Sequence, residues 1–322
     1  MAVSKRLKTA AITFWKRQKM RISEYNRIVS VEYIKELLEK ETDEKIIKAF
    51  KKDPDEAAKK YRAEKIEQMM DEFALVRDEI DTVIRRGRED VDRVISEKCN
   101  LISDYANYTL IKGCVNSLDT ENQLEKTIKY YVEQEQLWKR YLCQIKGIGP
   151  IIAACLMVYI DIEKARHISS LWKYCGLDVV QNPTTGEWEG RSKKKDHLVK
   201  RKYINKDGEE EEKNSITYND FLKSKVVFVL GRSLILHPGP YRTIYDNIRH
   251  RYENDPKHAD KSKKHIFYMA RRYTVKIFLK DLWLAWRQLE GLPTEGDYWE
   301  DKIAHRPHGG ADAYVPAYQL LP

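Results

Sequence analysis

The chain has 322 residues and a net charge of +9, with 34% charged and 42% hydrophobic residues. That length allows a substantial core and two domains, and the charge excludes an acidic solvating protein while permitting a polyanionic partner. Twenty tyrosines and seven tryptophans stand beside seven phenylalanines; such rings edge cores and also stack on bases.

The start, MAVSKRLKTAAITFWKRQK, is basic, and its apolar run is too short for a signal peptide. The longest apolar run, Ile151 to Ile160, is half a membrane span, so a buried helix and no membrane partner are expected. Cys99, Cys114, Cys143, Cys155 and Cys175 form no CxxC pair and read as reduced core thiols of a cytoplasmic protein. No histidine falls at ligand spacing with them, so neither a metal site nor a cofactor is expected. Magnesium would enter only with an acidic catalytic site.

In chain order, residues 1–119 read as a helical, coiled-coil-like N-terminal region, loosely organised up to residue 60. VEYIKELLEK and DEKIIKAFKK carry apolar residues at helical spacing, and Asp53-Pro54 marks a break. The charged run from Asp55 to Cys114 reads as one or two long helices whose interleaved acids and bases solvate their outer faces. Residues 120–293 form the second predicted domain. Leu124, Ile128, Tyr131, Glu135, Trp138, Leu142 and Ile145 trace a coiled-coil seam suited to self-association or to an intramolecular partner. The seam leads into Lys146, Gly147, Ile148, Gly149 and Pro150. Glycines permit close backbone approach, and proline is pre-set for a first helical turn. The amides of that turn, at the positive end of the dipole, suit a phosphate oxygen. This is a helix-hairpin-helix, which grips nucleic-acid backbone without reading bases. The ordinary alternative is a tight corner in a helical core.

Ser169 or Ser170 is placed to cap a short helix ending at Gly176. NPTTGEWEG is turn material, and Asp207-Gly208 marks a small β-hairpin insertion. The cluster Arg191, Lys193, Lys194, Lys195, Lys200, Arg201 and Lys202 is a phosphate-contacting candidate, weighed against a plain solvated loop. A helix over 221–236 breaks at HPGP. The closing helix, His265 to Leu289, has an apolar face of Ile266, Ala270, Tyr273, Ile277, Leu282 and Ala285. Arg272, Lys276, Lys280 and Arg287 form a basic stripe beside it. Residues 294–322 read as a polar tail.

Three segments resemble one family. LCQIKGIGPIIAACLMVYIDIEKARHISSLWKYCGLDV is similar to the C-terminal domain of insertion-sequence transposases related to the Piv DNA invertase. GRSKKKDHLVKR stands where those proteins carry a serine- and lysine-containing run, and ARRYTVKIFLKDLWLAWR is similar to their closing helix. The resemblance covers about residues 120–290. It implies a mobile-element or phage DNA-binding protein engaged in recombination, with a catalytic serine for which Ser192 and, less well, Ser233 are in register. It also implies an N-terminal RuvC-like domain whose four acids bind magnesium, and residues 1–120 depart from this. They show no apolar strand runs, and Asp71, Glu72, Asp78 and Glu79 sit in helical patterning.

The expectation is therefore a mainly α, helix-hairpin-helix protein that binds DNA backbone. Three alternatives stay open: an active serine transposase or recombinase, an assembly protein whose hairpin is only structural, and RNA as the polymer bound.

Overall fold

The computed structural model describes residues 3–28, 31–87, 91–182, 186 and 188–294. The tail expected after residue 294 lies outside the described residues. The fold is mainly α, as the periodicity predicts, with two small antiparallel hairpins where the sequence marks one. By contact the chain divides into two compact units, Ile12–Thr127 and Met1–Ala11 with Ile128–Pro322.

The first helices are α1 (Lys5–Ile28), α2 (Val31–Glu39), α3 (Glu44–Lys52), α4 (Pro54–Arg85), α5 (Val91–Lys98) and α6 (Tyr105–Val132). Asp43 caps α3 by accepting from the Lys45 and Ile46 amides, and Asp53 caps α4 by accepting from Glu56, with Pro54 in the first turn. Ile34, Leu38 and Ile46 join Ile66, Met69, Phe73, Ile80, Ile95, Tyr108 and Ile111 in one core. Residues 31–60 are thus packed, which corrects the loose organisation expected of them. Short helices with one apolar stripe gain their stability from that burial.

The interleaved charges also do more than solvate. Glu72 accepts from the amides of Asn100, Leu101 and Ile102 at 2.6, 2.9 and 3.1 Å, fastening the chain between α5 and α6. Asp81 is held by Lys112 at 2.6 Å and by the Tyr108 hydroxyl at 2.9 Å. Glu121, 5% exposed, takes two bonds from Arg21.

Beyond Thr127 the continuous stem expected over 124–145 is interrupted. Helix α6 stops at Val132, and the chain restarts with Glu135 as N-cap of α7 (Gln136–Arg140), followed by a 3-10 turn, Leu142–Gln144. Glu133 and Glu135 are unfavourable at a helix C-terminus and favourable at the start of the next helix. Ile128, Leu142 and Ile145 are buried within their own chain, so they do not form an open seam.

Then come α8 (Pro150–Tyr159), α9 (Ile168–Tyr174), and β1 (Val179–Gln181) paired with β2 (Trp188–Gly190). The expected insertion follows as β3 (Val199–Ile204) and β4 (Glu210–Ser215), in register from Val199 opposite Ser215 to Ile204 opposite Glu210. The β1–β2 pair frames what the sequence marks only as turn material. Helix α10 (Asp220–Lys223), a π-helical stretch Ser224–Leu230 and α11 (Gly231–Leu236) run on without a break. Pro240 opens α12 (Pro240–Asn254), and Ser262 caps α13 (Lys263–Leu289).

Helix α13 is the centre of this unit. The expected single apolar face holds only for its first turns. From Thr274 to Arg287 nearly every side chain is buried, including Phe278, Leu279, Leu282, Trp283 and Trp286. The Trp283 indole donates to the Ala165 carbonyl at 2.6 Å. Arg287, expected on a basic stripe, is 4% exposed and donates to the carbonyls of Ile162, Ala165 and Pro293. Among the described residues no helix is long and apolar enough to cross a membrane.

In the Ile12–Thr127 unit, Phe73 is 3% exposed and its ring lies 5.2 Å from that of Tyr108. Phe73→Ala is expected to lower unfolding stability by about 3–5 kcal/mol, measured by urea titration.

Candidate nucleic-acid interface

The two hairpin glycines are not equivalent. Gly147 has φ +94°, and a Cβ there would lie 2.9 Å from both the Ser233 carbonyl oxygen and His237 Nδ1. Its carbonyl accepts from Ser233 Oγ at 2.5 Å, which gives Ser233 a structural role in α11. Gly149 has φ −91° and open space around its α-carbon, and it caps α8 without a side-chain hydrogen bond. Ile148 is buried and its amide donates to Ile145 at 3.1 Å. Pro150 has no N–H to offer. A phosphate would therefore meet the exposed Lys146 and the uncapped first turn of α8, not all five residues equally.

Beside the hairpin a cavity of about 210 Å³ is lined by Tyr141, Lys146, His237, Gly239 and Tyr241 among others. Beneath it runs a buried chain of hydrogen bonds. Tyr241 donates to Asp281 Oδ2 at 2.9 Å, and the Tyr141 and Tyr241 hydroxyls are 3.1 Å apart. Burial in α13 pushes the Asp281 carboxyl up to about 7, against the opposing effects of its bond from Tyr241 and of Lys280.

The second focus is the loop after β2. The Arg191 amide donates to the Asp178 carbonyl at 3.1 Å, while its guanidinium bonds Asp178 Oδ2 at 2.7 Å and the His197 carbonyl at 3.2 Å. That clasp folds residues 192–197 back on themselves, ending in a 3-10 turn, Lys195–His197. Ser192 then presents both its amide and its hydroxyl to His197 Nδ1, each at 2.9 Å. The opposite ring nitrogen, Nε2, lies 3.1 Å from Glu189 Oε1. His197 is 2% exposed. The Lys194 ammonium on Glu189, at 2.6 Å, with the His197 and Asn182 bonds, holds that carboxyl below its ordinary range.

Sequence reading finds no base for Ser192, and the structure sets the His197 imidazole, five residues further on, 2.9 Å from its hydroxyl. His197 and Glu189 were missed because nothing in their spacing marks them. The one available signal is a lone histidine inside a lysine run.

The cations divide into committed and available groups. Arg191 is held in its clasp, so it is not the exposed phosphate contact expected of it. Lys193 pairs with Asp220 at 2.8 Å and Lys194 with Glu189. Lys200 and Lys202, on β3, face Glu212 and Glu210 across the hairpin at 3.3 and 3.0 Å. The acidic strand thus neutralises much of the basic one. Among the described residues Lys195, Arg201 and Arg272 are exposed and have no ion-pair partner; Arg201 stands opposite Lys213. Lys276 is half-buried, its ammonium 5.2 Å from the Trp172 ring centre, and burial lowers its pKa. Lys280 is half-buried on the same helix.

Two sequence-distant basic groups are nevertheless brought together. A Cβ on Gly190 would lie 2.9 Å from Arg272 Nη1, so the tip of this α13 side chain rests against the backbone of the Ser192 loop. Lys223 donates to the Arg191 carbonyl at 2.6 Å, and its pKa is lowered by burial first and by Arg272 second.

Residues 139–204 match the model of the transposase IS116/IS110/IS902 family. This stretch is a transposase-related domain. It contains the Gly147–Gly149 hairpin, the Ser192 loop and strand β3. Searches among curated proteins and among solved structures gave no match. Three acids of the N-terminal helices are each engaged by the protein's own donors. Glu72 is bound to three amides, Glu79 to Lys98 and Asp81 to Lys112 and Tyr108, each at a different place. Among the described residues no group of three or more His, Cys, Asp or Glu converges on a metal-sized gap.

Gly147→Ala is expected to destabilise the transposase-related domain by on the order of 1–3 kcal/mol, since it adds left-handed strain to a close contact. Gly149→Ala is expected to cost under about 1 kcal/mol. Urea titration of the two variants checks the difference, and equal losses would contradict the packing described.

Asp281 generates a pH prediction. Its carboxyl holds a proton more tightly folded than unfolded, where it titrates near 4. The stability it contributes is full below about pH 4 and is lost as pH rises from there through about 7. Asp281→Asn is expected to flatten unfolding stability across that window, measured by denaturant titration at several pH values.

Proposed function

We propose that the transposase-related domain, backed by α13, binds DNA backbone in the service of transposition or recombination of a mobile element. The observation that carries this reading is the meeting of cations from separate stretches of chain at Gly190–Ser192. Arg272 comes from α13, against Gly190, and Lys223 from α10, donating to the Arg191 carbonyl and coupled to Arg272. Lys223 is half-buried, so it meets an anion with less competition from water. Lys146 and the first turn of α8 supply a second phosphate-binding element. Backbone contacts of this kind release counterions and read little sequence.

In this reading the Ser192 hydroxyl faces a DNA phosphate and is the attacking group of strand cleavage. The family match supports it, as does the placing of the hydroxyl against a ring nitrogen among cations. Ser233, the other serine in register, has its hydroxyl committed to Gly147.

Binding of a labelled duplex, followed by fluorescence anisotropy across a salt series, tests the interface. Arg272→Ala is expected to weaken binding several-fold and to reduce the salt slope by about one. Lys200→Ala, which removes a cation already paired with Glu212, is expected to change little. Salt-independent affinity, or equal effects of the two variants, would overturn the proposed interface.

A further inference from the structure

We infer that His197 is the general base for the Ser192 hydroxyl and that Glu189 is the residue that positions it, an assignment resting on the reading of Ser192 as the attacking group. The tautomer follows from the contacts. A backbone amide can only donate, so the Ser192 N–H at 2.9 Å identifies Nδ1 as the unprotonated nitrogen. The proton is therefore on Nε2, which donates to Glu189 Oε1 at 3.1 Å. With Nδ1 accepting, the Ser192 hydroxyl at 2.9 Å is oriented to give up its proton there. Nucleophile, base and orienting carboxylate thus stand in line, the arrangement that activates a serine on unrelated folds.

Among the described residues, the groups bonded to His197 and to Glu189 support this state. Glu189 on β2 accepts from Nε2, while Lys194 and Asn182 hold Glu189 in place at 2.6 and 3.1 Å. Arg191 holds the His197 carbonyl at 3.2 Å, which fixes the backbone from which the ring projects. The ring is 2% exposed, whereas Ser192 is partly open to solvent. A substrate phosphate can reach the hydroxyl without disturbing the base.

The step balances within these groups. Ser192 Oγ bonds to phosphorus while its proton passes to Nδ1, and the bond from phosphorus to one bridging sugar oxygen breaks. In an in-line displacement that oxygen leaves on the side of phosphorus opposite Ser192 and takes its proton from water, and the imidazolium gives its proton back to the solvent, leaving a free sugar hydroxyl and a phosphoserine ester. Proton uptake turns Nδ1 into a donor. The Ser192 amide therefore loses its acceptor at the step in which the phosphoryl oxygens gain charge. Arg272, against Gly190, is the exposed cation placed to offset that charge.

The test uses a biotinylated fluorophosphonate, in which Oγ attack on phosphorus expels fluoride, on the full chain without DNA. Mass spectrometry locates the labelled peptide. Ser192 is expected to label far faster than the exposed Ser169 and Ser170, and Ser192→Ala to abolish that label. His197→Asn keeps an acceptor for the Ser192 amide but supplies no base. It is expected to slow labelling by about a hundredfold or more with the thermal melt retained. The wild-type rate should fall toward acid through one ionisation that His197→Asn lacks, and Glu189→Gln should lower the rate with the pH profile displaced. Labelling of Ser192 no faster than of Ser169, or wild-type labelling by His197→Asn, would overturn the assignment. A chain that labels in this His197-dependent way yet fails to bind DNA supports the assignment and removes the DNA reading. Salt-sensitive DNA binding without Ser192 labelling removes the assignment alone.

Discussion

Burying a long helix on all sides requires every neighbour to supply an apolar surface and every polar group on the helix to find a partner. Helix α13 imposes that requirement on the second unit. Its residues from Thr274 to Arg287 are enclosed, and the groups that would otherwise be stranded are met in turn. Arg287 bonds three carbonyls, Asp281 meets Tyr241, and the Lys276 carbonyl accepts from Trp172 at 3.1 Å. Unmet partners at that depth would cost several kcal/mol each, so these contacts set where α9, α12 and the chain around Ala165 lie. The hairpin and the Ser192 loop inherit their positions from them.

This explains why one helix serves both foci of the domain. Its buried half carries Asp281 beneath the Gly147 hairpin. One face of its earlier turns carries Arg272 to within reach of Gly190. A rigid element of this kind holds charged groups in place more precisely than a loop can. The arginine is then already positioned where a phosphate would bring its charge.

The surrounding charges show a second division of labour. Many of the basic residues near Ser192 are paired, and their role is geometric. Arg191 folds the loop, Lys194 steadies Glu189, and the β3 lysines zip the hairpin to its acidic partner strand. Fewer cations around Ser192 are left to meet a polyanion than the composition implies: Lys195 stays exposed although Asp196 follows it, and Arg201 faces Lys213 across the hairpin. Charge density along a chain therefore overstates the density a ligand meets, because pairing depends on register and on packing.

Much of the architecture is legible in sequence because it is local. Apolar spacing marks the helices, Asp53-Pro54 and HPGP mark breaks, Asp207-Gly208 marks the β3–β4 turn, and Gly147 and Pro150 mark the turn into α8. Each is a property of a few consecutive residues and of the dihedral angles they allow. The Lys146–Leu177 stretch, inside the segment that matches the transposase family model, also carries the transposase-related character. Tertiary structure alone decided the rest. Leu142 faces inward and not along a seam, Arg287 is a buried strut, Gly147 is confined where Gly149 is free, and His197 stands against Ser192. These outcomes depend on which distant elements meet, such as Ser233 with Gly147 or Arg272 with Gly190. No period or motif in the chain records those meetings, since they follow from packing a whole unit around one enclosed helix.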